Sequence, residues 1–166
     1  MMPTDPSLIL RPAMSDDVPT LARIWFEGWH DAHHDILPQS LRQHRTEAQF
    51  AERLNAALAD LRVLVRDGEV LGFTYLRHNE VYQLYLGREA RGSGAATALM
   101  DDAEAQLTAR GFTHLILDCA IGNGRAERFY EKRGWANAGP LPVEIETDDG
   151  LFPLTVLRFE KRVQDR

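Results

Sequence analysis

The chain of 166 residues has a single cysteine, Cys119, so an internal disulfide is excluded and a packed core must supply the stability. It also lacks any stretch near the roughly 20 consecutive apolar residues that a membrane-spanning helix demands, which argues against a transmembrane protein. Met1 to Leu10 has no basic segment ahead of a sustained apolar run, and Pro3, Asp5 and Pro6 interrupt it. No secretory signal is read there, and the cytoplasm is the expected compartment. Cations are in deficit: 19 Lys and Arg against 25 Asp and Glu give a net charge of −6 at neutral pH. That balance opposes a sequence-independent grip on nucleic acid, which needs clustered cations against phosphates. No solenoid-length repeat and no Pro-, Ser- or Gln-rich tract divides the chain, so one domain over residues 1–166 is expected. At 44% hydrophobic and 27% charged residues the composition is that of a compact protein. Folding at this length buries roughly 70% of the unfolded surface.

What is present alternates between two periods. Leu8 to Arg11 reads as a short strand closed by Pro12, and Ser15 or Asp16 as the cap of a helix that places Val18, Leu21, Trp25 and Trp29 on one face. His30 to Ser40 reads as irregular. Thr46 and Gln49 have capping-box spacing ahead of Phe50, Leu54, Ala57, Leu58 and Leu61, a second helix. The period then becomes two. Strands at Val63–Arg66 and Val70–Arg77 flank Asp67-Gly68, a dipeptide suited to a hairpin turn, and Val81–Leu86 follows the reversal at His78-Asn79. A helix carrying Ala96, Leu99, Met100, Ala103 and Leu107 ends at Gly111, and Thr113–Cys119 is an apolar run of strand length. Asn123–Arg133 reads as a helix, and Val143–Thr147 and Pro153–Phe159 as a hairpin around Asp148-Asp149-Gly150. The order predicts a mixed α/β fold, a mostly antiparallel central sheet covered by helices.

The segment Arg91-Gly92-Ser93-Gly94-Ala95-Ala96 lies between a predicted strand and a predicted helix. Small residues let the backbone curl around a phosphate, and the free amides of a helix start attract it. No Gly-Lys-Ser/Thr closes the segment and the G-x-G-x-x-G spacing fails at Thr97, so neither a nucleotide P-loop nor a dinucleotide fingerprint is present. A plain strand-to-helix turn is the simpler alternative. The segment resembles the signature Arg/Gln-x-x-Gly-x-Gly/Ala of the GCN5-related N-acetyltransferase (GNAT) family, satisfied by Arg91, Gly94 and Ala96. Leu84-Tyr85-Leu86 is similar to the family's preceding strand, and the stretch from Asn123 through Ala126, Phe129 and Tyr130 to Gly134-Trp135 to its second cofactor helix. Arg88, where many members have proline, and Ala95-Ala96 in place of the commoner Ile-Gly are departures.

The resemblance implies the family fold and an acetyl-CoA cosubstrate. The turn over Gly92, Ser93, Gly94, Ala95, Ala96 and Thr97 would hold the pyrophosphate. Leu84, Tyr85 and Leu86 would pair with the pantetheine arm as an added strand. Asn123, Ala126 and Phe129 would contact the arm, although Asn123 also reads as a helix N-cap. Acetyl transfer to an amine needs a neutral nitrogen, a donor for the developing oxyanion and a proton for the departing thiolate. Tyr130 stands at the position of the family's tyrosine acid, with core packing as its alternative role. A backbone N–H in Leu84–Leu86 is the expected oxyanion donor. Glu80 is the first candidate for the base that neutralises the acceptor, against a solvated strand-end charge. Trp29, His30, His33 and Tyr82 are expected around the acceptor. If the first helix continued, His30, His33 and His34 would share a face near Asp35, which invites a metal reading; no metal is assigned. Cys119 reads as a small core residue. Glu144, Glu146, Asp148 and Asp149 read as a solvated face or as an attraction for a cationic acceptor. The expected partner is an amine-bearing small molecule or peptide, and a homodimer is possible for such a chain. A noncatalytic acyl-CoA-binding module on the same fold is the competing reading.

Overall fold

The computed structural model describes residues 7–147 and 149–164. Seven strands form one sheet in the order β1-β2-β3-β4-β5-β7-β6. They are β1 (Leu8–Pro12), β2 (Leu61–Arg66), β3 (Glu69–Arg77), β4 (Glu80–Leu86), β5 (His114–Ala120), β6 (Ala136–Thr147) and β7 (Gly150–Arg162). Five helices accompany them: α1 (Val18–His33), α2 (Gln39–Arg42), α3 (Glu47–Ala56), α4 (Ala95–Ala109) and α5 (Gly124–Lys132). Every strand pairing is antiparallel except β4 with β5.

The alternation of apolar residues explains why helices cover both faces. Along β2, Val63 and Val65 pack with Trp25, Phe50 and Leu54 of α1 and α3, while Leu64 packs with Ala95 and Leu99 of α4. A strand apolar on both faces must be covered on both. Trp25 anchors the α1–α3 layer, stacked on Phe50 with ring centroids 4.3 Å apart. A third cluster joins Met100, Ala103 and Leu107 of α4 to Leu115, Leu117, Cys119, Trp135 and Phe159.

Local chemistry fixes the joints. Asp67 and Gly68 both have positive φ, 51° and 79°, the geometry that matches a two-residue hairpin to strand twist. Thr46 caps α3, its Oγ1 accepting from the Gln49 N–H at 3.1 Å. At α1 the expected cap is corrected. Ser15–Asp17 is a 3-10 turn, and Asp17 turns its carboxylate back to the Met14 N–H at 2.8 Å and to Arg11.

Two more expectations are corrected. The first helix does not stop at Trp29 but runs to His33, and α2 follows inside the stretch expected to be irregular. The His33 ring sustains the last turn by donating from Nδ1 to the Trp29 carbonyl at 2.7 Å. The last hairpin is about twice the expected length. Pro140, Pro142, Pro153 and a bulge at Asn137–Gly139 disguised it, and β6 tolerates its prolines because it is an edge strand. Asp148 lies outside the described residues.

Candidate active site

β4 and β5 meet at one pair, Glu80 with Ile116, and then part. The cause is visible in β4. Tyr75 of β3 faces Gln83 and the next residue, Leu76, faces Val81, so Tyr82 is an extra residue that bends the strand away from β5. From Gln83 to Leu86 the β4 backbone is paired to β3 on one side, and no β5 residue pairs with it on the other.

Two clefts open into this gap. The larger, of about 590 Å³, runs along Leu84, Tyr85 and Leu86 to Arg91, Gly92, Gly94, Ala96 and Thr97. Its far wall is α5, through Asn123, Ala126, Phe129 and Tyr130. The smaller, of about 250 Å³, lies between the α1–α3 layer and the β6–β7 hairpin. Ala32, Leu84, Tyr85, Asn123, Ala126 and Tyr130 line both, so they mark the junction. Gly28 of α1 makes the junction sterically possible, since a Cβ there would stand 2.5 Å from Tyr85 Cδ1.

The glycine turn leaves its backbone open at the larger cleft. Gly92 and Gly94 take φ of +77° and +85°, and nothing lies within 4 Å of where their Cβ atoms would be. Gly94 caps α4 without a side-chain hydrogen bond, so the first amides of that helix carry their partial positive charge toward the larger cleft. Ser93 and Ala95 do not present side chains there: the Ser93 hydroxyl donates to the Ala90 carbonyl, and Ala95 is buried against Leu99. Only their backbone is available to a ligand.

A clamp that sequence reading missed ties this turn to α1. Asp31 accepts two hydrogen bonds from Arg88, at 3.0 and 2.9 Å, and a third from Arg91 at 2.9 Å. These guanidinium contacts hold its carboxyl down to about 2. The one available signal was Arg88, the departure from proline, and it became informative only once α1 was known to continue past Trp29.

At the junction, Tyr130 packs its ring against Phe129 and Phe159, and burial, with a smaller effect from Cys119, raises its phenol above the ordinary value. Tyr85 is raised as well, first by burial. Both remain protonated donors at neutral pH. Asn123 caps α5, its Oδ1 accepting from the Ala126 N–H at 3.3 Å. Glu80 lines the smaller cleft, its carboxyl raised first by burial and then by Asp118, against the opposing influence of Arg77 and Arg158. Asp118 itself is bound by Arg158 through both oxygens.

Trp29, His33 and Tyr82 also line the smaller cleft. His30 does not: it turns away from both clefts, with Nε2 2.7 Å from the Arg45 carbonyl. His33 is pushed down to about 4, chiefly by burial, so at neutral pH its ring is uncharged. With Nδ1 donating to Trp29, its Nε2 is left as an acceptor. The three histidines converge on no common point, since His34 turns to Arg42 and Asp35. Glu144 and Glu146 face outward while Val143 and Ile145 alternate inward to the cleft, so the acidic hairpin is a solvated face. Cys119 is buried and its thiol pushed up to about 12, first by burial, which leaves it protonated. Among the described residues, no helix is long and apolar enough to cross a membrane.

Comparison with known proteins agrees with this geometry. The family model described as "Acetyltransferase (GNAT) family" matches residues 20–135. Curated proteins from Mycobacterium bovis and Mycobacterium tuberculosis, named uncharacterized N-acetyltransferases, are 34% identical over 95 residues, 54% of this chain and 61% of theirs. The match thus spans under two thirds of those relatives. Among solved structures, a GCN5-related N-acetyltransferase from Rhodopseudomonas palustris superposes with a TM-score of 0.75 at 22% identity, covering 98% of this chain and 100% of that one. The PaiA N-acetyltransferase from Thermoplasma acidophilum, solved with coenzyme A, gives a TM-score of 0.68 at 20% identity, with 95% and 99% covered. The fold is therefore that of these acetyltransferases, and the chain belongs to the GNAT family.

Proposed function

We propose that this protein transfers the acetyl group of acetyl-CoA to a primary amine by direct attack, with both substrates bound together. The observation that carries the reading is the parting of β4 from β5 after one residue pair, beside a glycine turn that opens onto the same cleft. An extended amide-containing arm is complementary to an unpaired strand edge, and a diphosphate to the free amides of a helix start. The residues present fit coenzyme A: both glycines are bare where its phosphates would approach, and the cleft leads from them to Tyr130.

Acetyl-CoA supplies an activated acyl group as a thioester. The chain's own groups then have distinct tasks. The β4 backbone from Leu84 to Leu86 orients the acyl end and offers an N–H to the developing oxyanion. The acceptor nitrogen must be neutral to form its bond to the acyl carbon, and Glu80 takes the proton; burial raises this carboxyl toward the range where a base works best. As the carbon–sulfur bond breaks, Tyr130 donates its phenolic proton to the sulfur and recovers one from solvent. A thiol of pKa about 8.5 is more acidic than tyrosine, so the donation depends on positioning rather than driving force.

The test is Tyr130→Phe. Turnover, followed as thiol release over a panel of amines, is expected to fall about 100-fold, within the usual worth of a positioned acid. Affinity for coenzyme A by calorimetry should change less than threefold or so. Unchanged turnover at saturating substrates would remove Tyr130 from the acid role. Cofactor-dependent stabilisation with no turnover on any amine would favour a binding module instead.

A further inference from the structure

The smaller cleft carries charge of both signs, and its distribution bears on what the acceptor looks like. Arg53 of α3 reaches it from the α1–α3 layer, its guanidinium carbon 4.7 Å above the Trp25 ring and 5.9 Å from that of Tyr82. The two aromatic faces hold the cation in place and shield part of it from water. Arg53 Nη2 donates to the Tyr82 phenol at 2.6 Å, and among the described residues no carboxylate pairs with this arginine. A guanidinium has five N–H donors, so a planar fork remains for a ligand. Tyr82, whose oxygen accepts from Arg53, still has its own O–H to give, which adds a third donor beside the fork.

The same cleft holds a second cation and two acids. Arg45, buried near Trp29, spends one N–H on the Glu146 carbonyl. Asp118 is neutralised by Arg158, which leaves Glu80 as the acid of the cleft without an ion pair among the described residues. A polycationic acceptor would bring further positive charge beside Arg53, whose guanidinium has no carboxylate partner among the described residues. Glu144 and Glu146 of the β6–β7 hairpin face outward from this cleft. At about 250 Å³ the cleft is also smaller than the roughly 300–1,000 Å³ of pockets for drug-sized ligands.

We propose that the acceptor is a small amino-acid-like zwitterion, whose carboxylate is held by the Arg53 fork and the Tyr82 phenol while its amine faces Glu80. The proposal rests on the acetyl-transfer reading for the role of the amine, but the carboxylate clamp is a binding claim that stands apart from turnover. Arg53 is a specificity-determining residue in this scheme, and Tyr82 both completes the clamp and holds Arg53 in orientation.

The test uses the full chain loaded with coenzyme A and a panel of amino acids with small, aliphatic and aromatic side chains. Each is paired with its carboxamide and with its decarboxylated amine. Calorimetry reads affinity, and thiol release from acetyl-CoA reads transfer. At least one amino acid is expected to bind about 10- to 100-fold more tightly than both of its counterparts, the range for hydrogen bonds to a charged group. Arg53→Gln should abolish that preference while the affinity for coenzyme A holds, Arg53→Lys should restore part of it, and Tyr82→Phe should lose the smaller share. A panel in which no amino acid outperforms its counterparts, or a preference that survives Arg53→Gln, overturns the clamp. Carboxylate-dependent binding without thiol release would instead sink the transfer reading and leave the clamp standing. Acetylation confined to the decarboxylated amines would do the reverse.

Discussion

The two clefts that meet at Tyr130 are built by different means. The larger has one wall of nearly consecutive backbone, from one strand, one glycine turn and the first turn of one helix within residues 84–97, faced by α5 and the end of α1. The smaller is walled by side chains from α1, α2, α3, α5, β4, β5, β6 and β7. Main-chain amides recognise what every member of a chemical class shares, such as a diphosphate or an extended amide chain. Side chains gathered from distant elements recognise what differs between ligands. A cosubstrate site of the first kind can persist while a site of the second kind is rebuilt around it.

Of the two regions, the side-chain-built one should respond to pH. His33 is buried neutral, with its folded value lowered to about 4 from 6.5. Between these values the unfolded chain binds the proton and the folded one does not, so stability falls as pH drops from 6.5 to 4. The loss is on the order of 3 kcal/mol. Chemical unfolding across this window should show that decline in the wild type and a flatter profile in His33→Gln. Parallel profiles would mean that the ring takes up its proton without opening the cleft.

The backbone-built region should respond through ligand affinity instead. Gly94→Val places a β-branched residue at a φ of +85°, where strain rather than crowding is the penalty, since nothing lies within 4 Å of the new Cβ. Destabilisation of about 1–2 kcal/mol is expected. Coenzyme A affinity should fall about tenfold as the amides turn away, the factor that 1.4 kcal/mol represents. The same variant should leave the amino-acid preference of the smaller cleft untouched. A change in that preference would show that the two regions are not separable.

The smallest effect belongs to the link between them. Asp31→Asn removes the clamp from α1 to Arg88 and Arg91, whose members are each at least about a third exposed. Its contribution is that of a solvated ion-pair network. The folded carboxyl titrates near 2 rather than 3.8, so the stabilisation is complete above 3.8 and disappears as pH falls toward 2. A small difference in melting temperature between wild type and variant at neutral pH should therefore close near pH 2. A difference that persists there would assign Asp31 a role other than charge.

Legibility in the sequence followed the same division. Asp67-Gly68, the Thr46 cap and Arg91 through Ala96 are local devices whose residue types dictate backbone torsions, and each is found where its chemistry predicts. The end of α1 was hidden because His30, Asp31 and His33 are weak helix formers. What sustains the helix there is a side-chain bond from His33 to Trp29 and an ion pair to residues far along the chain. The outer halves of β6 and β7 were hidden by prolines, which an edge position tolerates and a sequence pattern penalises. Arg53 and Arg45 gave no signal at all, since an arginine on a helix or in a loop ordinarily points to water.

The amino-acid order by itself determined the mixed sheet, the glycine turn before α4, the apolar faces of the helices and the family resemblance. These depend on period, on φ and on neighbours within a few residues. Tertiary structure alone decided that Tyr82 is the bulged residue parting β4 from β5, that Asp31 clasps Arg88 and Arg91, and that Arg53 lies against Trp25 within reach of Tyr82. Each depends on register or on contacts between residues dozens of positions apart, set by how the layers pack rather than by any local preference.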